Sequence, residues 1–154
     1  DVIVGVQNHD DIAAHYLSLA DLIDEVGRPN CKACFDAWSV ALHGDDLGEA
    51  VRYMGSRIVH TTVADYVRRP RFKYHHPGHG NYYERCPDEV RAVPPGEGFI
   101  DYQKFFAALK AIGYQGAVAF EMCSPLRGGG ELENLDRYAR SFIEFIKPWC
   151  EKVK

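Results

Sequence analysis

Seven polar residues fall where short apolar runs end: Gln7, Asn8 and His9 after the run 2–6, Asp36 after Cys31 to Phe35, His60 and Thr62 closing Arg57 to Thr62, and Glu121 after Ala117 to Phe120. Each offers an oxygen or nitrogen that could bind a cation, take a proton or hydrogen-bond a ligand. Two carboxylates with an imidazole and an amide nearby make a set able to hold a divalent cation. The matching chemistry is proton transfer beside a carbonyl, in which the cation polarises the carbonyl and stabilises an ene-diolate while a carboxylate carries the proton. A single strand-end acid is as readily a helix cap. Four strands that end alike favour the chemical reading.

The elements that must position these residues alternate four times between β-branched apolar runs and stretches of helical period. The first unit is the strand 2–7 and a helix opened by Asp10 or Asp11, its buried stripe Ile12, Tyr16, Leu19, Ile23 and Val26 ended by Gly27 and Pro29. The second is the strand 31–35, a loop over 36–46, and a short helix with Leu47, Ala50, Val51 and Met54, closed by Gly55. The third strand, 57–62, leads into a long loop insertion, 66–97, before a helix capped by Asp101 and buried through Tyr102, Phe105, Phe106, Leu109 and Ile112. The fourth strand, 117–121, precedes a glycine turn and a last helix carrying Leu135, Tyr138, Phe142, Phe145 and Trp149, with its end expected at Pro148.

Strands separated by helices imply a parallel sheet and an α/β class. An open doubly wound sheet of the dinucleotide-binding kind would carry G-x-G-x-x-G after the first strand, and Val6-Gln7-Asn8-His9-Asp10 does not. The preferred architecture is a (β/α)8 TIM barrel, which takes about 250 residues. Four βα units in 154 residues make half of one, and the start at Asp1 directly in a strand reads as a cut through a larger protein. The expectation is that residues 1–154 are the C-terminal half of a single barrel. Alone, such a half is expected to self-associate through its unpaired sheet edges.

The stretch Gly96-Glu97-Gly98-Phe99-Ile100-Asp101-Tyr102, then Phe105 to Leu109, Ile112 to Gly116 and Ala119-Phe120-Glu121, strongly resembles the last βα units of the xylose-isomerase-like sugar phosphate isomerase/epimerase superfamily. Val6-Gln7-Asn8-His9 resembles the family's strand ending in Glu-Asn-His, with Gln7 in place of the metal-binding glutamate. Phe35-Asp36-Ala37-Trp38-Ser39 resembles the strand ending in the metal-binding aspartate, with Ser39 where many members have histidine. Ile58 to Asp65 resembles the strand with the metal-binding histidine, which is His60 in one register and is replaced by Thr62 in the other. The resemblance implies a sugar or sugar-phosphate isomerase or epimerase assisted by a divalent cation (Mn, Mg, Co or Zn). Glu121, Asp36, His60 and Gln7 would be its ligands, and Glu121, Asp36 and His60 its catalytic groups. Asn8, His9, Trp38 and Arg127 are the candidate sugar contacts. Two alternatives stay open: a degenerate carbohydrate-binding barrel, to which Gln7 and Thr62 point, and an inositol-type dehydratase or lyase.

The insertion holds Arg68, Arg69, Arg71, Lys73, His75, His76, His79, Tyr82, Tyr83 and Arg85. It reads as a cover over the barrel mouth or a solvated excursion contacting another copy. A nucleic-acid surface is the poorer reading, because the superfamily's apurinic-site endonucleases need a fuller ligand set. Arg127-Gly128-Gly129-Gly130 could hold phosphate on backbone N–H groups, or be a plain turn. A net charge of −4 favours neither nucleic acid nor an anionic membrane, and no apolar run is long enough to span one. The expected partner is a small sugar or polyol, with a homo-oligomer open. Five scattered cysteines argue against a disulfide framework and for a reducing, cytoplasmic compartment, and Cys31 and Cys34 read as core thiols.

Overall fold

The structure, a computed structural model, describes residues 2–76, 78, 80, 82–123 and 125–150. Four parallel strands, β1 (Val4–Gln7), β2 (Cys31–Asp36), β3 (Ile58–Val63) and β6 (Ala117–Phe120), lie side by side in that order. Side chains alternate across the pleat. Phe35 and Phe120 therefore point away from the strand-end polar residues and stack on Phe105 and Phe142, at ring separations of 6.1 and 5.1 Å. Helices α1 (Tyr16–Val26), α3 (Leu47–Met54), α4 (Tyr102–Ala111) and α5 (Leu132–Cys150) cover that apolar side. The opposite face carries Gln7, Cys34, Asp36, His60 and Thr62. The sheet is an arc of the expected barrel, with β1 and β6 as its edges.

Local chemistry explains most boundaries. Gly27 ends α1 at φ 59°, a left-handed conformation that costs glycine nothing. Asp46 and Asp101 cap α3 and α4 by accepting from Glu49 N and Lys104 N. Four expectations need correction. The first helix starts at Tyr16 with His15 as its cap, and Asp11 opens only a 3-10 turn over Asp11–Ala13. The span read as a loop after Asp36 contains a helix, α2 (Ala37–His43), begun by the Asp36 side chain and closed by Gly44 at φ 84°. Helix α5 continues through Pro148 to Cys150.

The fourth correction is larger. The insertion forms a two-stranded antiparallel ribbon, β4 (Asp65–His75) and β5 (Tyr82–Val93). Its base is fixed by Asp65, whose Oδ2 accepts from Gly96 N at 2.9 Å and Gly98 N at 2.8 Å while Oδ1 accepts from Tyr66 N at 2.9 Å. Gly98 is required there, because an added Cβ would lie 1.9 Å from Asp65 Oδ1 and 2.5 Å from the Tyr66 carbonyl. His79, singled out in the insertion, lies outside the described residues. No helix among the described residues is long and apolar enough to cross a membrane. All five cysteines are free, and Cys31 and Cys34 are half-buried.

Candidate active site

Strand register sets the depth of each candidate. Asp36 pairs with Thr62, and Thr62 with Ala119, so these three share a level. His60 pairs with Cys34 and Ala117, one pleat deeper. It lines an open hollow of about 410 Å³ with Ile3, Gly5, Cys34 and Val59. Thr62 therefore takes the level beside Asp36 that a strand-end ligand would need. Its Oγ1 is buried with no hydrogen-bond partner among the described residues.

Curvature brings the two edges together. Gln7, closing edge strand β1, donates from Nε2 to Glu121 Oε2 at 3.2 Å across 114 residues of sequence. The other Glu121 oxygen accepts from the Cys123 thiol at 3.6 Å. Burial and the neighbouring Cys123 thiol both push the Tyr66 hydroxyl up. Both oxygens of Glu121 thus receive neutral donors, one from each side of the mouth.

Asp36 is held differently. Asn8, fully buried, accepts from Asp36 N at 2.6 Å and donates to the Asp36 carbonyl at 2.8 Å, tying the ends of β1 and β2 together. The side-chain Oδ1 accepts from Trp38 N at 3.0 Å and Oδ2 from Ser39 Oγ at 3.3 Å. Burial pushes the Asp36 carboxyl up to about 6. The Trp38 N–H opposes that rise, the negative charge of Glu121 adds to it, and Ser39 and the nearby His9 oppose it. Asp36 and Glu121 are thus close enough to sense each other's charge.

The remaining candidates divide. His9 reaches Asp36 only through charge, and its Nδ1 pairs with Asp10 at 3.2 Å. Trp38 builds an aromatic wall, its ring 4.0 Å from Tyr66 and 6.3 Å from Phe99, which Arg68 covers at 4.3 Å. Arg127 lies apart from the acids and pairs with Glu97. The glycine turn behind it is filled by Asn134, which donates to the carbonyls of Arg127 and Gly129 at 3.3 and 2.5 Å. Sequence reasoning missed Tyr66 and Cys123. Cys123 could have been found two residues after Glu121, while Tyr66 is recognisable only once the ribbon is known to start there.

Residues 1–149 match the family model described as xylose isomerase-like TIM barrel. The chain belongs to that family. It is 26% identical over 136 residues to the L-ribulose 3-epimerase of Methylomonas sp. (strain DH-1), covering 81% of this chain and 39% of that protein. A solved D-psicose 3-epimerase, in the presence of D-fructose, superposes with a TM-score of 0.68 at 20% identity, over 96% of this chain and 48% of the other. The IOLI protein, solved with a bound zinc atom, superposes at 0.62 with 20% identity, over 88% and 45%. This chain spans less than half the length of each of these relatives. The family's related proteins include sugar epimerases, and the fold is the expected barrel arc.

A divalent cation does not fit the residues present. Among the described residues, no three His, Cys, Asp or Glu side chains gather where they could hold one. Gln7 turns an N–H toward Glu121 where the resemblance puts a glutamate, and Cys123 and Ser39 place further donors on the two carboxylates. Hard cations need anionic or carbonyl oxygen turned inward, and these oxygens already serve neutral donors.

Proposed function

We propose that the protein is a sugar isomerase or epimerase that moves a proton at a carbon next to a carbonyl, with Glu121 as base and Asp36 as the acid facing it. The observation that carries this reading is the meeting of the two sheet edges at Glu121, inside one electrostatically coupled cluster with Asp36. Two carboxyls in different environments divide acid and base roles. Asp36, buried and pushed up to about 6, holds its proton below that pH and in a minor fraction at neutrality, and in that form donates it to the substrate carbonyl oxygen. Glu121, oriented by Gln7 and Cys123, takes the proton from the adjacent carbon as the electron pair moves into the enediol. Glu121 returning its proton to the neighbouring carbon, while Asp36 takes the hydroxyl proton from the carbon first deprotonated, gives an isomer. An epimer forms when solvent protonates the original carbon from the other face, the first enediol hydroxyl returns its proton to Asp36 and Glu121 releases its own. Trp38 and Tyr66 offer a ring wall for the apolar face of a sugar. Because Glu121 already accepts two neutral hydrogen bonds, no step is routed through a cation. The names of the relatives support a ketose as the substrate class.

Residues 1–154 supply, in this reading, the C-terminal four βα units of one barrel, which agrees with the chain's share of its relatives' length and with the open edges β1 and β6. The test is incubation of the full-length protein with D-fructose, D-psicose and L-ribulose, followed by chromatography of the sugars. Conversion that Glu121→Gln reduces by at least about a hundredfold agrees with the assignment, since removing a general base typically costs about 10²–10⁴. The neutral Gln7 and Thr62 favour a second reading, a binding barrel without turnover. Calorimetric sugar binding with no conversion at any pH would establish that reading instead.

A further inference from the structure

Taking a proton from the carbon beside a carbonyl drives negative charge onto the carbonyl oxygen, and a donor fixed in place beforehand stabilises it most. That oxygen has two lone pairs, so the proton supplied by Asp36 leaves one of them open. Several donors near the acids are already committed. The Gln7 amide serves Glu121, Ser39 Oγ serves Asp36, and the buried Tyr102 hydroxyl donates to the Ala64 carbonyl. Tyr66 is placed differently. It is 5% exposed, and its backbone is clamped on both sides, the N–H donating to Asp65 Oδ1 and the carbonyl accepting from Phe99 N, each at 2.9 Å. Its ring packs 4.0 Å from that of Trp38, whose backbone N–H holds Asp36 Oδ1. Its hydroxyl end neighbours Cys123, whose thiol donates to Glu121. The side chain therefore spans the gap between the two acids. Burial, Cys123 and the negative charges of Asp36 and Glu121 all push the hydroxyl up, so it stays a neutral donor at any working pH.

We infer that Tyr66 is a catalytic residue of this site, its hydroxyl donating a hydrogen bond to the substrate oxygen on which the charge of the enediol develops. The inference rests on the isomerase or epimerase reading and adds to it the group that polarises the carbonyl where the residues do not fit a cation. No bond to Tyr66 forms or breaks. The proton that the substrate oxygen gains comes from Asp36, and the phenol keeps its own. Because Trp38 and the two backbone clamps fix the ring, the donor does not have to reorganise as the charge arrives, which is what makes such a group effective.

The experiment uses the full-length protein in a chelating buffer, with steady-state kinetics on the ketose it converts and calorimetry with threonohydroxamate, a planar mimic of an enediolate. Wild type binds the hydroxamate at least about a hundredfold more tightly than the ketose, as transition-state analogues do. Tyr66→Phe keeps the ring and its place on Trp38, so melting is unchanged, KM stays within about threefold and kcat falls by about 10²–10³, with the preference for hydroxamate lost. Tyr114→Phe is the structural control: its hydroxyl donates to the Ala117 carbonyl at the far end of β6, so it lowers the melting temperature and leaves kcat alone. In a Cys123→Ala background the loss from Tyr66→Phe is undiminished, because the contact is with substrate and not made through Glu121. A loss that disappears in that background makes Tyr66 a prop for Cys123 and overturns the inference. So do a full kcat in Tyr66→Phe, a loss that falls on Thr62→Val instead, or hydroxamate bound by wild type no more tightly than ketose. Conversion that Glu121→Gln abolishes and Tyr66→Phe leaves intact sinks this inference alone, whereas no conversion of any sugar by wild type sinks the underlying reading with it.

Discussion

Replacing Gln7 by glutamate converts the contact across the mouth from attraction to repulsion. In the native protein the Gln7 amide donates to Glu121 Oε2 at 3.2 Å. Gln7→Glu puts a second carboxylate oxygen there. Two unit charges 3.2 Å apart repel by about 5 kcal/mol at an effective dielectric of 20, and by about 1 kcal/mol in bulk water. Both side chains are partly buried but keep some contact with solvent, which screens the pair in part, so a penalty of about 2 kcal/mol is expected in the folded state. At about 2–4 °C per kcal/mol, the variant should melt roughly 4–8 °C below wild type in a chelating buffer. The same change supplies the missing anionic oxygen, so three carboxyls then face one mouth. Millimolar Mn²⁺ should restore the variant's melting temperature and raise it further, while wild type hardly responds. The assay is a thermal melt of both proteins with EDTA and with Mn²⁺. A wild type that gains as much from Mn²⁺ as the variant would refute the claim that neutral donors have displaced a cation site. A variant that melts with wild type in EDTA would refute the geometry.

Two further outcomes follow from buried aspartates. Asp65→Ala strips acceptors from three backbone N–H groups at the ribbon base and should cost about 2–4 kcal/mol in urea unfolding, while Gly98→Ala, whose new methyl meets Asp65 and backbone oxygen, should cost at least as much. Asp36 is pushed up to about 6 from an unfolded value of 3.8, so the folded state binds the extra proton between those values. Stability from this group is therefore greatest below pH 4 and falls, by about 3 kcal/mol at most, as pH rises to 6. Asp36→Asn should remove that contribution, and urea midpoints at pH 4 and 7.5 for both proteins check it.

How much of this was legible in the sequence depends on distance along the chain. The four strands announced themselves by local apolar runs, and Gln7, Asp36 and Glu121 were recognisable because a strand end is a local feature. Helix α2 was hidden because Ala37 to His43 is short and falls in a span that reads as a loop, with the ligand role of Asp36 preferred over its role as a cap. The ribbon was taken for a loop because Pro70, Pro87 and scattered charges look like loop signals. Its strand character comes from pairings such as Arg71 with Cys86, fifteen positions apart, which no window of the sequence contains. The level of His60 was undecidable for the same reason, since only its pairing with Cys34 and Ala117 sets its depth. The donors on Glu121 come from Gln7 and Cys123, and the first of these needed the curvature of the whole sheet.

The most direct measurement is solvent exchange at the carbon that loses its proton. Full-length protein is incubated in D2O with a ketose and followed by proton NMR. Loss of the signal beside the carbonyl, at a rate that Glu121→Gln abolishes and Gln7→Ala only slows, is the result expected. Exchange that continues undiminished in Glu121→Gln would contradict the assignment of Glu121 as the base.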